Sequence, residues 1–372
     1  MDYHTKKKVK KEVMVMSTSS IIGGIHRTEL RKEIEGQLNT AINRIFKEKK
    51  ANKEYCIKKL HIRHEIYVSL LHSMREHRMD LCVIGSTLTG FDTATSDLDL
   101  CLIIYDENNA IDENYKHKQK AIEKLHNVGN ILKMNKISDQ VEVIKAKTPI
   151  LKFIYNKTNI EVNININQTT SVDNSHLLMV YCKLDPRVRP LMIAVKTWAK
   201  NNGINNPFKY SLSSYSWTLM TIHFLQFGCA PPVLPCLHEK YPDLNQMITN
   251  RQLFARLNSI FDGLEFASQN QESVSSLLIN FLDYYSFKVN YNEYIISIRK
   301  QRGLIPRANA FVQQTHRGPF GCVYIEEPFN LSNTAYSVLF PEVFDRIIQT
   351  MQNTSLTLKM NGASSLKQVN LC

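Results

Sequence analysis

Residues 85–100 read GSTLTGFDTATSDLDL, and the closing SDLDL decides the fold. From Ser96 to Ile104 the chain reads SDLDLCLII, which alternates and then turns wholly apolar, as a strand buried at its far end does. Successive side chains of a strand point to opposite faces, so Asp97 and Asp99 project together while Leu98 and Leu100 enter a core. Carboxylates so close raise each other's pKa unless positive charge lies between them, and Mg2+ accepts one or two carboxylates together with phosphate oxygens and water. Paired acids that merely solvate a sheet edge account for the same two residues.

The residues just upstream bear on that choice. LCVI (81–84) reads as a short buried strand running into Gly85-Ser86, followed by a turn or short helix from Thr87 to Phe91. Glycine lets a phosphate approach the backbone closely, and free amides at a helix start favour an anion. A lone Gly-Ser is an ordinary strand-to-helix turn. Strand, Gly-Ser, helical turn and a strand bearing D-x-D together set a phosphate cradle beside a metal site, the apparatus of nucleotidyl transfer.

The 372 residues suffice for two domains, and the 43% hydrophobic fraction for a substantial core. A formal charge of +12 suits a polyanion such as RNA. The eight cysteines form no C-x-x-C pair and no metal-ligand spacing, and several lie in apolar patterns, as reduced core residues of an intracellular protein do. The opening MDYHTKKKVKKEVMVM is basic and polar without a secretion signal, and no run of about 18 apolar residues offers a membrane span. Lys6 to Lys11 reads as a solvated, disordered end, with a nuclear-import patch or an RNA-touching tail as alternatives.

Along the chain the pattern predicts a disordered basic N-terminus (1–27) and a helical segment packing with the second domain (28–65). An α/β catalytic domain (66–180), a mostly helical domain (181–350) and a polar, frayed tail (351–372) follow. No internal repeat is visible. Strands are expected in VEVIKAKTPILKFIYN and TNIEVNININ, with Lys157-Thr158-Asn159 as a turn between the later pair.

The chain resembles the cytoplasmic poly(A) polymerases of the germline-development-defective type and their terminal uridylyltransferase relatives, in the DNA polymerase β-like nucleotidyltransferase superfamily. The resemblance covers roughly residues 30–345 and rests on GSTLTGFDTATSDLDL, RVRPLMIAVKTWAKNNGI, LSSYSWTLM and EEPFNLSNTA, in the expected order. It implies a mixed-sheet nucleotidyltransferase domain and a helical poly(A)-polymerase-associated domain. The implied chemistry is template-independent addition of AMP from ATP to RNA 3′ ends with Mg2+ or Mn2+, in the cytoplasm and, as an alternative, also the nucleus. Gly85 and Ser86 would belong to the nucleotide site, and Asp97 and Asp99 would hold metal.

Lys196 and Lys200, four apart and so on one helix face, would reach the triphosphate. Ser214 would contact the γ-phosphate, Tyr215 would stack on the base and Asn174 would bind the ribose 2′-hydroxyl. Without the family, the two lysines read as a solvated helix face, the tyrosine as a core residue and Asn174 as a loop asparagine. Uridylyltransferases of the family carry histidine where this chain has Asn333, while adenylating members read N-T-A, as here. With no RNA-recognition motif in the chain, the family pattern implies a partner protein that binds RNA.

One departure stands out. The family places a third aspartate on a neighbouring strand, where it binds metal and helps deprotonate the RNA 3′-hydroxyl; this chain reads EVNININ, with Asn163 at that position. Asparagine offers one neutral oxygen and cannot accept the proton. Glu161 lies on the same strand face, about 7 Å away, but relatives carry a glutamate there beside their aspartate. An adenylyltransferase working on two carboxylates is one reading. A weak or silent relative that keeps the fold as an RNA- or protein-binding scaffold is the other, and Asn333 argues against uridylyl transfer.

Overall fold

Five segments rich in Val, Ile and Leu form one mixed sheet: β1 (Met79–Ile84), β2 (Leu98–Ile104), β3 (Val141–Ile144), β4 (Ile150–Ile154) and β5 (Glu161–Ile166), in the order β1-β2-β5-β4-β3. In this computed structural model, residues 32–371 are described except 76–77, 94, 147, 246–255, 258, 261, 264–265, 300–302 and 310–320. The basic segment 1–27 lies outside the described residues. β2 and β5 run parallel and the other pairs antiparallel, with Asp99 opposite Asn163 in the parallel register.

Strand period decides what each residue of β2 does. Leu98, Leu100, Leu102 and Ile104 enter one apolar cluster, and Cys101 and Ile103 another on the opposite face. Helix α1 covers residues 32–49; α2 (Lys53–Ser73) begins where the Asn52 side chain accepts the Tyr55 N–H at 2.7 Å. A five-residue helix α3 (Gly85–Thr89) links β1 to β2, and α4 (Lys118–Met134) lies over the sheet. Ile62, Ile66 and Leu70 of α2 and Leu125, Val128 and Leu132 of α4 join the cluster formed by the leucines of β2.

The second half is helical. α5 (Thr169–Leu184), α6 (Val188–Asn201), α7 (Ser214–His223), α8 (Val274–Asp283) and α9 (Pro341–Asn361) surround a larger core. Trp198 and Trp217 meet edge to face there, with ring centroids 5.6 Å apart. Helix α5 joins the two halves: Val172 lies under the sheet, and Leu177, Leu178, Val180, Tyr181 and Cys182 lie in the helical core.

Two expectations are corrected. Residues 28–65 are not one segment packing with the second domain. Leu38, Ile42 and Ile45 of α1 do so, but the chain breaks after residue 49 and α2 packs on the sheet. Nor is 351–372 a frayed tail: α9 runs through Asn361, and Met351, Leu358, Leu366, Val369 and Leu371 are buried in the helical core. The polar residues that suggested exposure are buried because they are paired. Thr354 Oγ1 accepts the Trp198 indole N–H at 3.0 Å, and Ser355 Oγ donates to Asp283 at 2.5 Å. Gly362, at φ 55°, closes α9 where a Cβ would come within 2.3 Å of the Ile34 side chain.

Leu358→Ala is therefore expected to destabilise the protein by about 2–5 kcal/mol, the cost of a cavity in a closed core. Met360→Ala, on the exposed side of α9, is expected to change stability by no more than about 0.5 kcal/mol. Urea denaturation midpoints of the two variants check this; equal midpoints would return the segment to a frayed tail.

Candidate functional site

β1 ends at Ile84, and Gly85 turns the chain at φ +67°. The glycine is required by what lies beside it: a Cβ there would stand 2.8 Å from Asp99 Oδ2. Its amide is not free for a phosphate, because it donates to Ser175 Oγ at 2.9 Å. What Gly85 provides is room for the carboxylate.

Asp97 immediately precedes β2 and Asp99 lies within it, and both reach the same group. The Asn163 side-chain NH2 donates to Asp97 Oδ2 at 2.6 Å and to Asp99 Oδ1 at 3.1 Å, which leaves Asn163 Oδ1 buried without a hydrogen-bond partner. Burial raises the Asp99 carboxyl to about 6 and Asp97 adds to the rise, while the Asn163 hydrogen bond, Lys196 and Lys59 oppose it. Burial also lowers the Lys196 ammonium, against the upward pull of Asp97, Asp99 and Asp92. Glu161 is turned to Lys152 at 2.6 Å.

Two carboxylates converging on one small group fit a divalent cation completed by phosphate oxygens and water. Among the described residues no cluster of three or more His, Cys, Asp or Glu side chains could hold a metal ion. The donor set is two carboxylates and one amide.

A cleft of about 480 Å3 opens beside them, bringing together Gly85, Ser86, Asp97, Asp99, Asn174, Lys196, Ser214 and Tyr215. Lys200, one turn beyond Lys196, is exposed and does not line it. The Ser214 hydroxyl pairs with the Asn205 amide, and the Tyr215 hydroxyl donates to Glu327 Oε1 at 3.4 Å. The Asn174 amide also donates to Glu327, while its Oδ1 is buried and unpaired. Asn333 does not line the cleft. Its Oδ1 accepts the Ile325 and Ala335 N–H groups and its NH2 donates to the Val323 carbonyl, so it shapes the loop that carries Glu327.

Sequence reasoning missed three residues. Lys59 is fully buried on α2: its Nζ contacts both carboxylate oxygens of Asp92 at 2.8 and 2.9 Å and donates to the Asp97 carbonyl at 2.8 Å. Asp92 also accepts from Ser86 Oγ at 3.2 Å, so one ion pair ties α2, the Gly-Ser turn and the backbone of Asp97. Nothing local marks Lys59 in a lysine-rich helix; the only sequence signal is Asp92, an acid directly after Phe91 in a turn otherwise without charge. Glu327 and Asp173 were the others. Burial raises Asp173 to about 7 and Glu327 adds to it.

A parallel β2–β5 pair bearing a carboxylate dyad, preceded by a Gly-Ser turn and facing a lysine from a helical domain, defines a DNA polymerase β-like nucleotidyltransferase fold. Residues 38–183 match the family described as "Poly(A) RNA polymerase, mitochondrial-like, central palm domain", and residues 273–333 match "Cid1 family poly A polymerase". Poly(A) RNA polymerase gld-2 homolog A of Drosophila melanogaster is 36% identical over 276 residues, 73% of this chain and 19% of the fly protein. The solved GLD-2/RNP-8 complex aligns at 32% identity with a TM-score of 0.73, covering 91% of this chain and 98% of that one. A Cid1 poly(U) polymerase structure, a histidine-to-asparagine mutant bound to MgATP, aligns at 22% identity with a TM-score of 0.72, over 90% of this chain and 97% of that one. The chain belongs to the GLD-2-type poly(A) RNA polymerases of the Cid1 family. It spans about a fifth of the length of its fly relative.

Removing Lys59 leaves a buried carboxylate unpaired, so Lys59→Met is expected to cost about 3–5 kcal/mol. The double variant Lys59→Met with Asp92→Leu removes both charges and is expected to cost less than the single one, as chemical denaturation of the two will show.

The carboxyl of Asp173 keeps its proton in the folded chain up to about pH 7, whereas the unfolded group loses it near the ordinary value of 3.8. The folded state therefore binds more protons between these values, and its stability falls as pH rises through that window and levels off above it. Asp173→Asn is expected to raise Tm at pH 8, with the gain shrinking toward pH 4. A gain that grows on acidification would reverse the assignment.

Proposed function

We propose that this chain adds AMP from ATP to RNA 3′ ends without a template, and does so slowly. The observation that carries the reading is the convergence of Asp97, Asp99 and Lys196 on one cleft beside Gly85. A bound Mg2+ or Mn2+ would draw charge from the α-phosphate and the leaving pyrophosphate. Asp97 and Asp99 would hold it, with Asn163 as a neutral third donor.

The chain's own residues supply the rest. Lys196 offsets the charge of the triphosphate. The unpaired Oδ1 of Asn174 suits a sugar hydroxyl, since a buried acceptor without a donor favours any ligand that brings one. Tyr215 offers its ring to the base while Glu327 holds its hydroxyl. Preference for ATP over UTP is supported by the family pattern, in which uridylylating members carry histidine at position 333; in this chain Asn333 acts through the loop that it holds and not from the cleft wall. As the RNA 3′-oxygen bonds to the α-phosphorus and pyrophosphate leaves, the hydroxyl proton finds no carboxylate at position 163 and passes to water.

The formal charge of +12 supports RNA as the polyanionic substrate. A partner that binds RNA fits the relative solved as a GLD-2/RNP-8 complex, and the family resemblance supports a cytoplasmic setting. Among the described residues no helix is long and apolar enough to cross a membrane. The hydrogen-bonded Asn163 favours one second reading, a nucleotide-binding scaffold that does not turn over.

Incubation of the protein with labelled oligo(A), Mg2+ or Mn2+ and each ribonucleotide separates these readings. Weak extension with ATP ahead of UTP is expected, lost in Asp97→Ala and Asp99→Ala. Asn163→Asp is expected to raise it by roughly 10²–10⁴-fold, the usual worth of a positioned proton acceptor. ATP binding without extension in either the wild type or Asn163→Asp would favour the scaffold.

A further inference from the structure

The Asn163 side chain is oriented by chemistry. Ionised carboxylates only accept hydrogen bonds, so the group that touches both Asp97 Oδ2 and Asp99 Oδ1 is the NH2 and not the carbonyl. The consequence is an orphan: Oδ1 is buried with no hydrogen-bond partner among the described residues, and such a group costs free energy. The amide accepts that cost because its two N–H bonds supply the partial positive charge that the paired carboxylates require. A cation entering the same place would have to displace those bonds.

Nearby lysines ease the charge of the acids from a distance but do not bridge them. Lys59 is spent on Asp92 and on the backbone carbonyl of Asp97, not on its carboxylate. Lys196 lines the same cleft and feels both acids, but makes no ion pair with either among the described residues. Glu161, the one further acid on that strand face, is held by Lys152. A free divalent cation arriving at this site would meet two carboxylates already bridged. A cation carried by a triphosphate brings additional negative oxygens, and turning the amide about its Cβ–Cγ bond then presents Oδ1 as a neutral ligand and gives that atom a partner.

We propose that in the nucleotide-free protein the Asn163 amide occupies the place of the divalent cation between Asp97 and Asp99, so that the cation binds with the nucleotide triphosphate and not before it. The inference rests on the nucleotidyltransferase reading and adds an order of binding that follows from this chain's own substitution. By linkage, metal and nucleotide must each strengthen the other's binding by the same factor.

Mn2+ binding, followed by electron paramagnetic resonance with and without a non-hydrolysable ATP analogue, tests it. Asn163→Ala removes the competing amide and is expected to bind Mn2+ alone at least about tenfold more tightly than the wild type, as two unbridged carboxylates attract a cation strongly. Asn163→Asp is expected to do the same, and the analogue is expected to narrow the differences among all three proteins. Wild type binding Mn2+ alone as tightly as Asn163→Ala would overturn the proposal.

A measurement on the wild type covers the case in which Asn163→Ala does not fold. The Asn163 side-chain amide resonances, assigned by their loss in Asn163→Asp, are expected to stay in place with millimolar Mg2+ alone and to shift when the analogue is added with it. A shift with Mg2+ alone would overturn the proposal equally. Failure of the analogue to bind in the presence of Mn2+ would instead strike at the nucleotidyltransferase reading, and the two failures are distinct.

Discussion

Two half-buried carboxylates held side by side at the edge of a cleft require positive charge between them, and the architecture around Asp97 and Asp99 answers that requirement. Gly85 gives up a side chain so that Asp99 can approach. Lys59, buried with Asp92, fixes the backbone of Asp97 and the Ser86 side chain in one network. The parallel register of β2 and β5 sets Asn163 opposite Asp99, where its NH2 reaches both acids. Burial, with Asp97 beside it, still raises the Asp99 carboxyl to about 6 against the pull of that amide and two lysines.

The cleft lies where two separately packed cores meet. Sheet and α2–α4 hold the carboxylates, and the helical domain brings Lys196, Ser214 and Tyr215 to face them. Helix α5 belongs to both cores and also carries Asn174, with Asp173 beside it. A ligand in the cleft therefore touches residues whose positions are set by different cores. Glu327 accepts the Phe329 and Asn330 N–H groups of its own loop and is reached by the Tyr215 hydroxyl and the Asn174 amide, which ties that loop to the cleft residues.

Much of this was legible because strand period and motif order are local properties. The alternation of SDLDLCLII placed Asp97 and Asp99 on one side and the leucines in the core, and the structure agrees. Asn163 was also expected on the strand beside the two acids, and the parallel register sets it opposite Asp99. Features that depend on distant partners were not. Lys59 looks like its neighbours until Asp92 is brought to it across 33 residues of sequence. Thr354 and Ser355 read as polar tail and are buried because Trp198 and Asp283 pair with them. The same limit applies to Asn333, whose hydrogen bonds are spent on its own loop, and to Lys200, which the helix carries past the cleft.

The most direct test of the central claim is a crystal structure of the protein with Mn2+ and a non-hydrolysable ATP analogue, read by anomalous scattering. The account predicts an anomalous peak between Asp97 and Asp99, with the triphosphate beside Lys196 and the Asn163 carbonyl oxygen turned to the metal. A nucleotide bound outside the cleft, or one bound within it while the Asn163 NH2 still bridges the two carboxylates, would contradict it.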